Sequence, residues 1–167
     1  GGAADGTITV VSREDGSGTR GAFIELFGIE EKNDAGEKID NTTDTAEITN
    51  STAVMMTTVA GNDNAIGYVS LGSLNDSVKA LSIDGVEASA DNIKNGTYAV
   101  ARPFNIATDK EVSEVTQDFI NFILSEDGQA VVEENGYISQ GNTGAFKSTE
   151  AEGKIVVGGS SSVTPVM

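Results

Sequence analysis

A short β-branched run that leads into a loop of Gly, Ser and Thr is the feature that most restricts the fold. It occurs near the start of the sequence, where TITVVS (residues 7–12) precedes GSGT (16–19). It occurs again near the end, where KIVV (154–157) precedes GGSSS (158–162). β-branched residues favour strands, and glycine lets the backbone turn sharply from a strand into a helix. Strands that alternate with helices predict an α/β fold.

The hydrophobic spacing between the two loops predicts further elements. Helices are expected at residues 19–28, 49–61, 89–96, 113–124 and 129–135. Strands are expected at residues 66–70 and 78–86, with an extended segment at 97–108. The polar stretch 29–45 is predicted to be a solvated loop.

The charge of the chain excludes two classes of partner. The sequence has 10 lysines and arginines and 26 aspartates and glutamates, for a net charge of −16. A field of this sign repels nucleic acid and anionic lipid, so neither is an expected partner. It also repels small anions, so an anion site would have to be built from local hydrogen-bond donors rather than from a basic patch.

Several kinds of active site are excluded by the residue types present. The chain has no cysteine and no histidine, so it cannot form a thiolate or imidazole zinc site, or a Cys-His or Ser-His-Asp nucleophile. The acidic stretch 33–44 lacks the residue order of an EF-hand loop, which favours a solvated loop over a calcium site. We therefore expect no enzymatic activity, no metal and no cofactor.

Two observations bear on the kind of chain that this is. No apolar run approaches the roughly 20 residues that a membrane-spanning helix needs, and no signal peptide is visible. The opening GGAADG is typical of a linker. We interpret the sequence as a fragment.

The first loop has the composition of an oxyanion site. A helix N-terminus leaves N–H groups unpaired, and glycine lets a ligand approach them closely. Ser17 and Thr19 add hydroxyl donors, and Arg13 can offer a planar fork to an oxyanion. Asp15 is placed to orient that arginine. A glycine turn with a Ser or Thr cap and solvated arginines is the alternative, and the spacing leaves both open.

The second loop offers similar donors. Three serines, Ser160 to Ser162, precede a predicted helix start in which Pro165 suits the first turn. A Ser-rich linker is the alternative, although the β-branched run before the loop argues against it.

These motifs resemble those of a known family. The stretch SREDGSGTRGAF (residues 12–23) is similar to the central signature of the phosphate-binding proteins of phosphate ABC importers, in the type 2 periplasmic binding protein family. The stretches 65–71, 98–108 and 119–138 resemble that family in the same order. GKIVVGGSSSVTPVM (153–167) resembles its amino-terminal strand and loop. The resemblance covers nearly the whole chain.

The resemblance implies two α/β lobes, each with a central mixed sheet flanked by helices, that close on the anion. It divides the chain into a second lobe (1–98), a crossover with the C-terminal helices of the first lobe (99–140), a linker (141–153) and the first strand and Ser-rich loop of a first lobe (154–167). In the family the Ser-rich loop comes first, whereas here it comes last. A piece of a tandem protein and a circular permutation both explain that order.

The resemblance also implies the phosphate ligands. They are Arg13, Ser17, Gly18, Thr19, Ser162 and the amide of Val163. Asp15 would support Arg13 through a charge-assisted hydrogen bond, and Arg20 would be structural or face the rim. The family's further acidic residue, which accepts a phosphate proton, has no match in this sequence.

The expected function is binding of inorganic phosphate outside the cytoplasm for an ABC permease in the membrane. The protein would be periplasmic or a cell-surface lipoprotein, and a homodimer that exchanges segments is a further expectation. The alternatives are a surface or sensory module that keeps the fold without the ligand, and a phosphate-handling enzyme.

Overall fold

Five short strands and five α-helices make up the regular structure of residues 6–167, the part of the chain that the computed structural model describes. The first five residues of the expected linker lie outside it. The strands are β1 (Thr9–Arg13), β2 (Glu30–Lys32), β3 (Lys38–Asp40), β4 (Glu47–Thr49) and β5 (Ala65–Ile66). The α-helices are α1 (Gly18–Leu26), α2 (Thr52–Ala60), α3 (Ala90–Lys94), α4 (Glu114–Leu124) and α5 (Glu126–Glu134). Two 3₁₀ helices span Leu71–Ser73 and Ser161–Val166.

Strand β1 is the centre of a three-stranded parallel sheet with the order β4-β1-β5. Val11 lies opposite Glu47 on one side, and Thr9 lies opposite Ala65 on the other. Val11 is 1% exposed, as a β-branched residue on a central strand should be. The prediction of an α/β fold is confirmed. The three-stranded sheet is parallel, and the antiparallel pairing expected of a mixed sheet occurs in the separate hairpin β2–β3.

Two strand–loop–helix units lie side by side in this sheet. β1 leads into α1, and its parallel neighbour β4 leads into α2. The carboxyl ends of parallel strands lie at one edge of a sheet, which is where ligands bind in open α/β folds. The N-termini of α1 and α2 therefore meet at the same edge.

The core of these units is small and lies around β1. Ile24 of α1 and Met55 of α2 are buried, as Val11 is, and both helices contact β1. Gly67 follows β5, and a Cβ there would stand 2.6 Å from the Met55 sulfur. Glycine at this position therefore allows α2 to pack closely.

Several parts of the chain differ from the predictions. The strand expected at 66–70 is reduced to β5, which spans Ala65–Ile66. The stretch expected to be a solvated loop forms the hairpin β2–β3, because the Asn33 side chain accepts hydrogen bonds from the amides of Ala35 and Glu37 and closes its turn. The strand predicted at 78–86 is reduced to one bridge between Ile83 and Val86. The strand predicted at 154–157 is absent, because an extended run becomes a strand only beside a partner and no described residue pairs with it.

Helices α4 and α5 share one residue as their junction. Ser125 ends α4, and its hydroxyl donates to the Phe122 carbonyl at 2.6 Å and accepts from the Gly128 amide at 3.2 Å. The predicted break between two helices after residue 124 is confirmed, although α5 begins at Glu126 rather than at residue 129. None of the helices within residues 6–167 is long and apolar enough to cross a bilayer.

The segment expected to be a linker, residues 141–153, packs against α4. The Thr143 amide donates to the Leu124 carbonyl at 2.9 Å, and the Ser148 hydroxyl donates to Asp118 at 2.7 Å. Phe146 meets Phe122 edge to face, with ring centroids 5.2 Å apart. These contacts connect the helical pair to the Ser-rich loop that follows.

The α4–α5 junction gives a test of the fold. A Cβ at Gly128 would lie 2.1 Å from the Phe122 carbonyl oxygen, so Gly128→Ala must separate the two helices and lower the unfolding temperature. Gly21 of α1 has open space around its Cβ position, so Gly21→Ala should stabilise the chain by roughly 0.5–1 kcal/mol. Thermal and urea unfolding of both variants measures the difference. Equal effects of the two substitutions would contradict the close approach at Gly128.

Candidate functional site

A cavity of about 380 Å³ opens where the two Gly/Ser loops meet. It lies beyond the carboxyl ends of β1 and β4, at the edge where the strand–loop–helix units converge. Its walls come from the first loop, from Asn50 between β4 and the α2 cap, and from the Ser-rich loop. The lining residues are Arg13, Glu14, Gly16, Ser17, Gly18, Asn50, Gly159, Ser160 and Ser161.

The Arg13 side chain is the buried charge of this site. Arg13 is the last residue of β1 and is 3% exposed. Its Nη1 donates to the Thr52 hydroxyl at 3.3 Å, and its Nη2 donates to the Ser161 hydroxyl at 3.2 Å. The guanidinium therefore joins β1, α2 and the Ser-rich loop.

The first loop places the N-terminus of α1 at the cavity. Gly16 has φ of +83°, a left-handed conformation that favours glycine, and it turns the chain toward the helix. Ser17 is the N-cap, and its hydroxyl accepts from the Arg20 amide at 3.2 Å. Gly18 follows, and no atom lies within 4 Å of the position of its missing Cβ. The backbone here is accessible to a small ligand.

The segment that leads into α2 contributes a second wall through Asn50, and the adjoining start of α2 was not predicted to belong to the site. Ser51 caps α2, and Thr52, its first residue, is 8% exposed. The Thr52 amide donates to the Ser161 hydroxyl at 3.2 Å, and the two hydroxyls lie 3.1 Å apart. The sequence EITNST (residues 47–52) before an apolar run could have revealed this second wall. It is typical of a short strand followed by a helix cap and a helix start, as in the first loop.

The Ser-rich loop closes the cavity as a capped 3₁₀ turn. The Ser160 hydroxyl accepts from the Ser162 amide at 3.2 Å and caps the helix that starts at Ser161. Ser162 is fully buried, and its hydroxyl is hydrogen-bonded to the Thr19 hydroxyl. The two loops are thus joined directly, although 143 residues separate them in the sequence.

The predicted ligands are brought together, but they do not all face the cavity. Arg13, Ser17 and Gly18 line it. Thr19 and Ser162 bond to each other behind the wall, and the Val163 amide donates to the Ser160 carbonyl at 3.0 Å. The Ser-rich loop instead presents the residues just before them, Gly159–Ser161.

The expected support of Arg13 by Asp15 is wrong. The partner is Glu14, whose carboxylate accepts from Arg13 Nε at 2.8 Å and from Nη2 at 3.0 Å. Asp15 turns outward and pairs with Arg20 at 3.0 Å, with its side chain 98% exposed. The longer side chain of Glu14 can wrap back onto its neighbour's guanidinium, whereas Asp15 lies on the outside of the turn made by Gly16.

Glu14 is therefore a carboxylate acceptor within the cavity, which the sequence analysis did not identify. Hydrogen bonds from the Arg13 side chain lower the pKa of Glu14, and they outweigh an opposing effect of burial. The ionised carboxylate thus occupies the fork that an external oxyanion would use. No buried side-chain oxygen or nitrogen in the described residues lacks a hydrogen-bond partner.

Arg20 has a structural role beside the site. Its Nη1 donates to the Arg13 carbonyl at 2.7 Å, and its Nη2 pairs with Asp40 at 2.7 Å. Burial alone would raise the pKa of Asp40, but hydrogen bonds from Thr42 and Arg20 together lower it. Arg20 thus ties the end of β1 to the β2–β3 hairpin, and it does not line the cavity.

Tyr68 holds the end of β1 through its hydroxyl group. Its hydroxyl lies 2.9 Å from the Ser12 hydroxyl and accepts from the Arg13 amide at 3.0 Å. Its ring stacks on Phe23, with ring centroids 4.1 Å apart. The Arg13 amide and carbonyl are therefore both hydrogen-bonded, to Tyr68 and Arg20 respectively, before any ligand binds.

The arrangement can hold a small oxyanion by dipoles and one guanidinium. The N-terminus of α1 lines the cavity and that of α2 lies beside it, and serine and threonine hydroxyls line or adjoin it. Over residues 6–167, no group of three or more carboxylates is placed to bind a metal ion.

Comparison with known proteins agrees with this geometry. Residues 1–127 match the sequence model of the PBP superfamily domain. "Phosphate-binding protein PstS 2" of Streptococcus agalactiae serotype V is 62% identical over 163 residues, which are 97% of this chain and 56% of that protein. The protein of the same name from Streptococcus pneumoniae TIGR4 is 53% identical over 165 residues, 98% of this chain and 56% of that one. The chain thus spans little more than half the length of these relatives.

Solved structures give the same result. A phosphate-binding protein of a phosphate ABC transporter from Streptococcus pneumoniae TIGR4 superposes with a TM-score of 0.76 and 53% identity, covering 96% of this chain and 63% of that chain. A substrate-binding protein with bound phosphate from Clostridium perfringens has a TM-score of 0.67 and 42% identity. The match covers 77% of this chain and 50% of that chain. From the matched domain and these likenesses, the chain belongs to the PBP superfamily.

Proposed function

We propose that this chain is part of an extracytoplasmic protein that binds inorganic phosphate for an ABC importer. The observation that carries the proposal is the cavity between the two Gly/Ser loops, with the buried Arg13 guanidinium in its wall. The names of the streptococcal relatives and the phosphate bound to the clostridial structure support phosphate as the ligand. The partner would be a membrane permease, and the protein would carry solute without catalysing a reaction.

Phosphate would bind by replacing Glu14 on the Arg13 fork. The carboxylate now holds Nε and Nη2, so two phosphate oxygens could accept from the same two nitrogens. Amides at the start of α1 and hydroxyls of Ser17, Ser160 and Ser161 would take the remaining oxygens. Thr19, Ser162 and the Val163 amide, the other ligands that the family resemblance implies, would join only if the loops rearrange on binding.

The displaced carboxylate would also decide which oxyanion is preferred. A carboxylate beside the ligand can accept a hydrogen bond from protonated phosphate, whereas sulfate has no proton to give near neutral pH. Glu14 would thus do what the family's acidic acceptor does. Repulsion between two negative oxygens in a partly buried site penalises sulfate.

The order of the segments supports a circular permutation over a tandem protein. The streptococcal alignments run through nearly the whole chain, so the Ser-rich loop follows the helices in those relatives too. The unmatched part of each relative is shorter than the matched part, which leaves room to complete a first lobe but not to add a second two-lobed unit. In this proposal residues 1–98 form the second lobe, and residues 154–167 begin the first.

One observation favours a surface or sensory module that keeps the fold without the ligand. Every side-chain nitrogen of Arg13 already has a partner in Glu14, Thr52 or Ser161. A site saturated by its own side chains could be purely structural.

Titration calorimetry of the purified chain with phosphate and with sulfate separates the two functions. The proposal predicts heat with phosphate and a weaker response to sulfate. Arg13→Ala should weaken phosphate binding by roughly a hundredfold, since charge-assisted hydrogen bonds contribute about 1.5–3 kcal/mol each. Arg20→Ala is the matched control, and it should change the affinity by less than about fivefold, because its carboxylate partners lie at the surface.

A folded sample that takes up neither anion would favour the module without a ligand. Equal losses from Arg13→Ala and Arg20→Ala would show that Arg13 is not a ligand. Circular dichroism of each variant confirms that the fold is kept.

Replacing Glu14 tests its competition with the ligand. In Glu14→Gln the amide carries no charge, so Arg13 is free to pair with an anion. Both anions should bind more tightly, phosphate by less because it also loses the carboxylate that accepts its proton. Sulfate should gain by more, on the order of tenfold, since its repulsion from the carboxylate disappears. The matched control is Glu25→Gln, which removes a carboxylate that pairs with Arg102 away from the cavity. Weaker binding of both anions to Glu14→Gln would contradict the competition.

A further inference from the structure

Tyr137 connects three separate segments of the chain beside the Ser-rich loop. Its hydroxyl donates a hydrogen bond to the Ser162 carbonyl. Its ring meets Phe104 edge to face, with ring centroids 5.3 Å apart, and it also lies against Gly72. We infer that Tyr137 is a positioning residue that holds the Ser-rich loop at the cavity, and that Gly72 provides the space for its ring. The consequence for binding rests on the proposed function, but the contact itself involves no ligand.

The end of helix α5 aims Tyr137 at the loop. Gly136 has φ of +78°, and its amide donates to the Glu133 carbonyl at 3.0 Å. The Tyr137 amide donates to the Val132 carbonyl at 3.1 Å. These two bonds form a Schellman motif, which fixes the direction of the residue after the glycine. The backbone at Tyr137 is therefore fixed by hydrogen bonds to α5, and so is the direction in which its side chain leaves the backbone.

Gly72 makes the contact possible. A Cβ on Gly72 would stand 2.2 Å from Cε2 and 2.4 Å from Cζ of the Tyr137 ring. Any side chain at this position would therefore displace the ring. Gly72 belongs to the short 3₁₀ helix Leu71–Ser73, and the Ser73 hydroxyl lies 3.4 Å from that of Tyr137.

Tyr137 holds Ser162 from a segment outside those that meet at the cavity, whereas Thr52, whose hydroxyl lies 3.5 Å from that of Ser162, belongs to the start of α2. The Ser162 amide bonds to Ser160 within its own loop, and its hydroxyl bonds to Thr19 of the first loop. The Ser162 carbonyl is held by Tyr137 instead. Because Ser162 directly follows the lining residues Ser160 and Ser161, fixing its carbonyl fixes their position at the cavity.

Tyr137→Phe removes the hydroxyl and keeps the ring. Amide hydrogen exchange of the ligand-free chain should become about fivefold faster at residues 159–163 and stay unchanged in α1 and α2. Phosphate should bind about fivefold more weakly, the effect of one lost hydrogen bond. The matched control is Tyr98→Phe, since Tyr98 is also half-buried and its hydroxyl has no hydrogen bond among residues 6–167. It should change neither measurement.

Gly72→Ala tests the same contact from the other side. It should speed exchange at residues 159–163 and weaken phosphate binding in the natural background. In a Tyr137→Ala background there is no ring to displace, so adding Gly72→Ala should have almost no further effect. This non-additivity distinguishes positioning through Tyr137 from a general loss of stability.

The outcomes separate the inference from the proposed function. Unchanged exchange at 159–163 in Tyr137→Phe, faster exchange spread over the whole chain, or additive effects of the Gly72 and Tyr137 substitutions would each overturn the inference. Faster exchange confined to the loop supports it even if no variant, nor the unchanged chain, binds phosphate. That last result would refute the proposed function alone.

Discussion

The burial of one guanidinium at the end of the central strand is the constraint on which the site depends. Arg13 is 3% exposed, so its charge must be compensated on every side, and the compensating groups come from three segments. An unpaired buried charge costs several kcal/mol, so these segments cannot separate cheaply. The cavity therefore results from the way in which these three segments converge to pair and hydrogen-bond the Arg13 guanidinium. The two Arg13 nitrogens that donate hydrogen bonds to the Glu14 carboxylate are equally suited to the oxygens of a bound oxyanion.

The overall acidity of the chain and a site for an anion are compatible because they act over different distances. The net charge of −16 is spread over the surface, where salt screens it within about 10 Å. The cavity presents helix N-termini, hydroxyls and one arginine at contact distance. Short-range donors in a partly buried site act in a lower effective dielectric than the surface charges do. Local geometry, and not net charge, decides what such a cavity accepts.

The sequence predicts those features that depend on neighbours in the chain. The strand, glycine turn and helix at residues 9–26 were predicted because strand propensity, turn and cap are all local. The end of α4 at Leu124 was predicted for the same reason. The pairing of Glu14 with Arg13 and the role of Thr52 were missed, since they depend on side-chain direction and on the packing of β4 beside β1. The strand predicted at 154–157 failed because a strand also needs a partner, which local pattern cannot supply.

The distance in sequence between the two loops links the site to the stability of the fold. Arg13 and Ser161 are in contact although 148 residues separate them, so bringing them together costs loop-closure entropy that local elements do not face. The Ser-rich loop has little apolar surface to offset that cost. Ser162 is held by hydrogen bonds to four residues, which are Ser160 in its own loop and Thr19, Thr52 and Tyr137 elsewhere in the chain. Such a loop is stabilised mainly by what fills or surrounds the cavity. A ligand that bridges Arg13 and the serines would therefore stabilise the whole arrangement, by an amount that rises with the logarithm of the ligand concentration relative to its Kd.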